Sequence, residues 1–105
     1  MQVIKGVLKE ELANSLKMQK DYQRQLDKLP KGALVKKKIK GREYYYLAFR
    51  EDGKVKFVYK GHVSDKDIEH HRQIKDYRAK YRKLLSEVKQ QIRFLQGVLR
   101  GKKSV

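Results

Sequence analysis

A chain of 105 residues has room for one domain of ordinary size. Its 28 basic side chains against 12 acidic ones leave a net charge of +16, so its natural partners are polyanions, nucleic acid first, with anionic membranes and acidic proteins as rivals. The 39% hydrophobic share excludes wholesale disorder, no run approaches the roughly 18 apolar residues of a membrane span, and the lack of cysteine excludes disulfides and thiolate metal sites.

A chain without cysteine suits a reducing cytoplasm, the expected location. The start, MQVIKGVLKEEL, meets acids at Glu10 and Glu11 and lacks a small-residue cleavage site, so no signal peptide is expected.

Residues 1–29 read as a helix. Leu8, Leu12, Leu16, Tyr22, Leu26 and Leu29 recur at helical spacing, after Val3, Ile4 and Val7. Pro30 stops the helix, because it pushes the preceding residue out of the α region. This segment is nearly balanced, with six basic and four acidic residues.

Residues 31–63 change character, with ten basic residues against three acidic. Gly32, Gly41, Gly53 and Gly61 punctuate three runs rich in β-branched and aromatic residues: 33–39, 42–50 and 54–60. They predict a three-stranded antiparallel meander. Two registers fit the second turn. A three-residue loop at Glu51-Asp52-Gly53 puts Tyr45, Leu47, Phe49, Val55, Phe57 and Tyr59 on one face. The other face then holds Tyr44, Tyr46, Ala48, Arg50, Lys54, Lys56, Val58 and Lys60. A two-residue Asp52-Gly53 turn instead mixes lysines into the apolar face. Burial favours the first register, since a slip of one residue moves every side chain across the sheet.

Residues 64–105 return to helical spacing, with twelve basic residues against five acidic. Ser64-Asp65-Lys66-Asp67 resembles a capping box with a short acid. Lys102 and Lys103 suit the negative end of the helix. From Tyr81 the apolar residues Leu85, Val88, Ile92, Leu95 and Leu99 alternate steps of four and three, a coiled-coil seam. A helix of about 36 residues spans roughly 54 Å, against about 23 Å for a seven-residue strand. The second half of the helix therefore needs a partner beyond the sheet. The first helix and a second copy of the chain are the two candidates, and a homodimer is the expected assembly. Residues 101–105 read as a frayed tail. The expected fold is α+β, ordered α-β-β-β-α, a three-stranded antiparallel sheet flanked by two long helices in a single domain.

The candidate nucleic-acid contacts are Lys36, Lys37, Lys38, Arg42, Tyr44, Tyr46, Arg50, Lys54, Lys56 and Lys60. Lysines and arginines neutralise phosphates, and exposed tyrosines stack on bases. A solvated face is the ordinary explanation for a charge run, and core packing the ordinary one for a tyrosine run. Here three basic stretches converge on one small sheet, which favours binding. On the last helix, Arg72, Lys75, Arg78, Lys80, Arg82, Lys83, Lys89 and Arg93 extend the charge. His62, His70 and His71 lack the spacing of metal ligands. No glycine-rich phosphate loop and no Ser-His-Asp set is present. Neither catalysis, a metal nor a cofactor is expected.

Leu29-Pro-Lys-Gly-Ala-Leu, Lys38-Ile-Lys-Gly-Arg-Glu-Tyr-Tyr-Tyr-Leu and Arg50-Glu-Asp-Gly-Lys-Val-Lys together resemble a family of short prokaryotic proteins of unassigned function. These share an LPKG…YYYL…R..GKVK…Y.G block between helices, and the likeness covers about half the chain. Three basic strands followed by Gly61-His-Val-Ser-Asp-Lys-Asp are also similar to the arm-type DNA-binding domain of tyrosine recombinases. That resemblance implies a sheet lying in a DNA groove with one helix behind it. The readers it implies are Tyr44, Tyr46, Arg50, Lys54, Lys56 and Lys60. This chain departs from it in lacking a recombinase body and in its two long helices. The combined expectation is a non-enzymatic nucleic-acid-binding protein with DNA preferred over RNA and no membrane partner. The alternative is an interaction adaptor whose long helices engage an acidic protein or a second copy of the chain, as in a toxin–antitoxin pair or a phage–host complex.

Overall fold

The computed structural model describes residues 2–101, in the order α1 (Gln2–Lys28), β1 (Ala33–Ile39), β2 (Arg42–Glu51), β3 (Lys54–Gly61) and α2 (Asp65–Leu99). The fold is α+β with the expected α-β-β-β-α order. Lys102, Lys103 and the rest of the tail lie outside the described residues.

Local chemistry sets the boundaries of the helices. α1 ends two residues before Pro30. α2 starts at a cap: the Asp67 amide donates to the Ser64 hydroxyl at 3.2 Å, and the Ile68 amide to the Ser64 carbonyl at 3.0 Å. Asp65 and Asp67 stand in the first turn, beside the positive end of the helix dipole. At the far end Gly101, with φ 72°, donates its amide to the Val98 carbonyl at 2.9 Å and closes the helix.

The chain divides into two compact units: α1 with α2 from Arg78 onward, and residues 29–77. In the helical unit Leu85, Val88 and Ile92 are buried, and Leu12, Tyr22 and Leu26 of α1 pack against them. Leu95 is buried as well, while Tyr81 and Leu99 are half-buried. The seam read from the sequence thus has its partner within the same chain. The helices run antiparallel: Tyr22 meets Tyr81 with ring centroids 6.1 Å apart, and Gln91 reaches back to Glu11 and Ser15. Among the described residues Ser15 is the one buried polar residue, at 0% exposure. Its hydroxyl accepts from the Gln91 amide at 2.9 Å, and the same amide donates to Glu11 Oε1 at 3.1 Å. A small side chain there lets the helices approach closely, and its hydrogen bond removes the cost of burying the oxygen.

The sheet has the order β1-β2-β3, antiparallel throughout. Ile39 pairs with Arg42 and Glu51 with Lys54, so both turns hold two residues. Lys40 and Gly41 have φ of 52° and 81°, and Asp52 and Gly53 have 51° and 77°. Two consecutive positive φ angles mark type I′ turns, whose twist matches that of the strands they join. The three-residue loop favoured on burial grounds is therefore overturned. Arg50 pairs with Val55 rather than Lys54, and Phe49 with Lys56 rather than Val55.

Two physical reasons decide it. Burial has little leverage, since no strand residue is fully buried. The rejected register also sets Arg50 directly opposite Lys54, whereas the observed one sets Glu51 there. A bulge then corrects the far end of β3. Tyr46 pairs with Tyr59 and Tyr45 with Gly61, which leaves Lys60 without an opposite number.

Gly32 of the LPKG segment has a structural duty. Its φ is +100°, and an added Cβ would meet the Ala48 carbonyl oxygen and the Leu47 side chain at 3.1 Å. Only glycine suits both the backbone angle and the space.

Candidate nucleic-acid interface

Cross-strand partners share a face, so the register sorts the side chains into two sets. One face carries Leu34, Lys36 and Lys38 of β1, Glu43, Tyr45, Leu47, Phe49 and Glu51 of β2, and Lys54, Lys56 and Val58 of β3. The other carries Val35, Lys37 and Ile39, then Arg42, Tyr44, Tyr46, Ala48 and Arg50, then Val55, Phe57 and Tyr59.

The ten candidate contacts are therefore not all together. Lys37, Arg42, Tyr44, Tyr46 and Arg50 share the second face. Lys36, Lys38, Lys54 and Lys56 lie on the first, and Lys60 sits in the bulge. The six readers implied by the recombinase likeness are split in the same way. Tyr44, Tyr46 and Arg50 separate from Lys54 and Lys56, because β3 is turned over relative to the expected register.

The faces differ in electrostatics. Both strand carboxylates point to the first face, where each meets a lysine: Lys36 Nζ lies 3.5 Å from Glu43 Oε1, and Lys56 Nζ lies 3.5 Å from Glu51 Oε2. These exposed pairs add little stability but cancel local charge. On the second face the register places no carboxylate, so Lys37, Arg42 and Arg50 keep an unopposed positive field there.

The second face is also the aromatic one. Tyr59 lies against Tyr46 and Tyr44, with ring centroids 5.3 and 6.2 Å apart and rings tilted by 58° and 44°. Lys37 Nζ stands 4.7 Å from the Phe57 ring centroid and 5.0 Å from that of Tyr46. Phe57 and Tyr59, expected in the core, are 52% and 58% exposed, and Val55 is exposed with them. The sequence reading missed these three as surface residues. The signal that would have found them is Asp52-Gly53, one of the dipeptides most typical of a two-residue hairpin turn.

Some of the helix charge is neutralised within its own helix. Arg72 donates to both carboxylate oxygens of Glu69 and, at 3.0 Å, to Asp76 Oδ2. Hydrogen bonding from Arg72 holds the Glu69 carboxyl below its ordinary range, and the same contact raises Arg72. Lys80 Nζ lies 5.6 Å from the Tyr81 ring centroid. Among the described residues no three histidines or carboxylates gather as metal ligands, and no helix is long and apolar enough to cross a membrane.

No curated protein and no solved structure matches the chain. A family model described as a domain of unknown function, DUF6788, matches residues 2–70, which takes in α1, the whole sheet and the start of α2. On that match, which spans more than half its length, the chain belongs to the DUF6788 family.

Proposed function

We propose that this is a non-enzymatic nucleic-acid-binding protein of the cytoplasm, with DNA preferred over RNA, which holds its ligand on the aromatic face of its sheet. One observation carries the reading. Lys37, Arg42 and Arg50 stand among Tyr44, Tyr46, Phe57 and Tyr59 on a face with no carboxylate. Cations there neutralise phosphates, and the rings offer flat apolar surface to bases or sugars. Lys36, Lys38, Lys54, Lys56 and Lys60 add to the long-range field that draws a polyanion in. The preference for DNA rests on the likeness to recombinase arm domains, which use three strands followed by a helix.

The test is an anisotropy titration of labelled DNA and RNA over a range of salt. Log affinity should fall linearly with log salt, by about 0.9 per duplex phosphate contacted or about 0.7 per single-strand phosphate. Arg42→Gln with Arg50→Gln should lower the slope by about two, because two phosphate contacts disappear. Lys54→Gln with Lys56→Gln should leave the slope nearly unchanged. Equal effects of the two pairs would remove the basis for assigning one face, and loss of all binding at physiological salt would reduce the charge to a non-specific field.

A second reading, an adaptor that engages an acidic protein or a second copy, draws on the start of α1. Val3 is 79% exposed there, with Ile4 and Val7 exposed beside it. The seam that first raised a homodimer is packed by α1 of the same chain, and the exposed apolar residues of the helix start offer a separate surface for such contact. Light scattering that gives twice the chain mass, lost on Val3→Lys with Val7→Lys, would favour it.

A further inference from the structure

We infer that the preferred ligand is an unpaired strand whose bases stack on Phe57, Tyr59 and Tyr46, an inference that rests on the nucleic-acid reading above and replaces the groove docking implied by the recombinase likeness. Phe57 is the informative residue. Its ring is half-exposed on a cationic face and has no group that can read a base edge or hold a phosphate. A duplex presents base edges in its grooves and keeps its base faces stacked on one another. Only an unpaired base has a free face to cover such a ring.

Spacing points the same way. Phe57 and Tyr59 are two residues apart on one strand and one face. Their attachment points are therefore about 6.6–6.8 Å apart. Successive nucleotides of a stacked strand are separated by about 3.4 Å. A stacked strand cannot place neighbouring bases on both rings, whereas an extended, unstacked one can. The Tyr59 ring meets those of Tyr44 and Tyr46 at a tilt, so neither covers it face to face. Lys37 Nζ lies over the Phe57 and Tyr46 rings, within 5.0 Å of both centroids, so a base that takes that ring face displaces the ammonium, which then stands beside the phosphates of the same strand.

A second copy of the chain is a poorer occupant of this face. Isologous docking would bring Lys37, Arg42 and Arg50 against their own equivalents with no carboxylate between them. The charge pattern selects a polyanion instead.

The experiment compares a short mixed-sequence strand with the duplex of the same sequence, each as DNA and as RNA, on the full chain at one salt concentration. Anisotropy gives affinity. Tyrosine emission gives stacking, since the chain has seven tyrosines and no tryptophan. The strand should bind more tightly than the duplex and quench tyrosine emission. Phe57→Ala should weaken strand binding by about five- to a hundredfold, the range for one lost stacking partner. It should weaken duplex binding far less and leave the circular dichroism spectrum unchanged, and Phe57→Tyr should restore strand affinity. Duplex binding as tight as strand binding, or an equal loss on both ligands in Phe57→Ala, would overturn this inference and leave the broader reading standing. No binding to any of the four ligands would sink that broader reading and this inference with it.

Discussion

The helical pair and the sheet use their apolar side chains in opposite ways. Among the described residues Leu85, Val88, Ile92 and Leu95 are buried in the helical unit, and not one strand residue is. The sheet instead leaves Val55, Phe57, Val58 and Tyr59 exposed. Burying an aliphatic side chain is worth about 1.5–3 kcal/mol. The helices therefore supply most of the hydrophobic stability. The sheet is held by backbone pairing, two tight turns and cross-strand contacts, and it leaves the Phe57 and Tyr59 rings exposed while Tyr44, Tyr45, Tyr46 and Phe49 are half-buried. In a protein this small, the buried apolar core and the exposed aromatic side chains lie in different parts of the chain.

Mutations can break that comparison. The largest effect is expected from a charge in the seam. Val88 is only 4% exposed, and Val88→Asp leaves an unpaired carboxylate there at a cost of about 3–5 kcal/mol. Thermal melting followed by circular dichroism should show the helices lost or nearly so. A melting temperature equal to that of wild type would mean the core lies elsewhere. Phe57→Ala, by contrast, should barely move the melting temperature while it reduces strand binding.

A smaller effect is expected at the second turn. Asp52 has φ 51°, a left-handed angle that costs a β-branched residue about 1–2 kcal/mol. Asp52→Val should loosen β2 and β3, read as faster hydrogen exchange of their amides, with α1 amides unaffected. Asp52→Asn should be silent. If Asp52→Val left exchange in the sheet unchanged, the two-residue turn would be in doubt.

The smallest effect is electrostatic. Glu69 is held below its ordinary value of 4.5 mainly by the Arg72 hydrogen bond. A lowered carboxylate stabilises the fold above its unfolded value, and that contribution disappears as the pH falls through the lowered one. Both groups are exposed, so the step is small and salt-sensitive. Acid titration of helicity in wild type should show a step that Arg72→Gln lacks. Superimposable curves would show that the pair contributes nothing measurable.

Much of this was legible without coordinates. The strand boundaries follow from glycine punctuation, and β1 is Ala33–Ile39 as read. The Ser64 cap and the stop before Pro30 are local chemistry, written within a few residues. The apolar steps from Tyr81 to Leu99 announce a packed helix face. The candidate interface was half legible. Alternation along β2 correctly joins Tyr44, Tyr46 and Arg50, because side chains on a strand alternate strictly. The partners from β3 were misassigned, since the choice of register leaned on a burial that the sheet does not have.

Sequence alone thus determined the net charge, the order of elements, the helix ends, where the turns fall, and which residues of each element share a side. These depend on contacts within a few residues or on simple counting. The tertiary structure decided three things. It gave the seam to α1, through Leu12, Tyr22 and Leu26. It placed Ser15 and Gln91 against each other across 76 positions of chain. It put Phe57 and Tyr59, rather than Lys54 and Lys56, beside the tyrosines. Each of these pairs residues from different elements. The first two depend on how whole elements pack, which no local pattern along the chain carries; the third turned on a choice between two registers, for which Asp52-Gly53 was the one local signal.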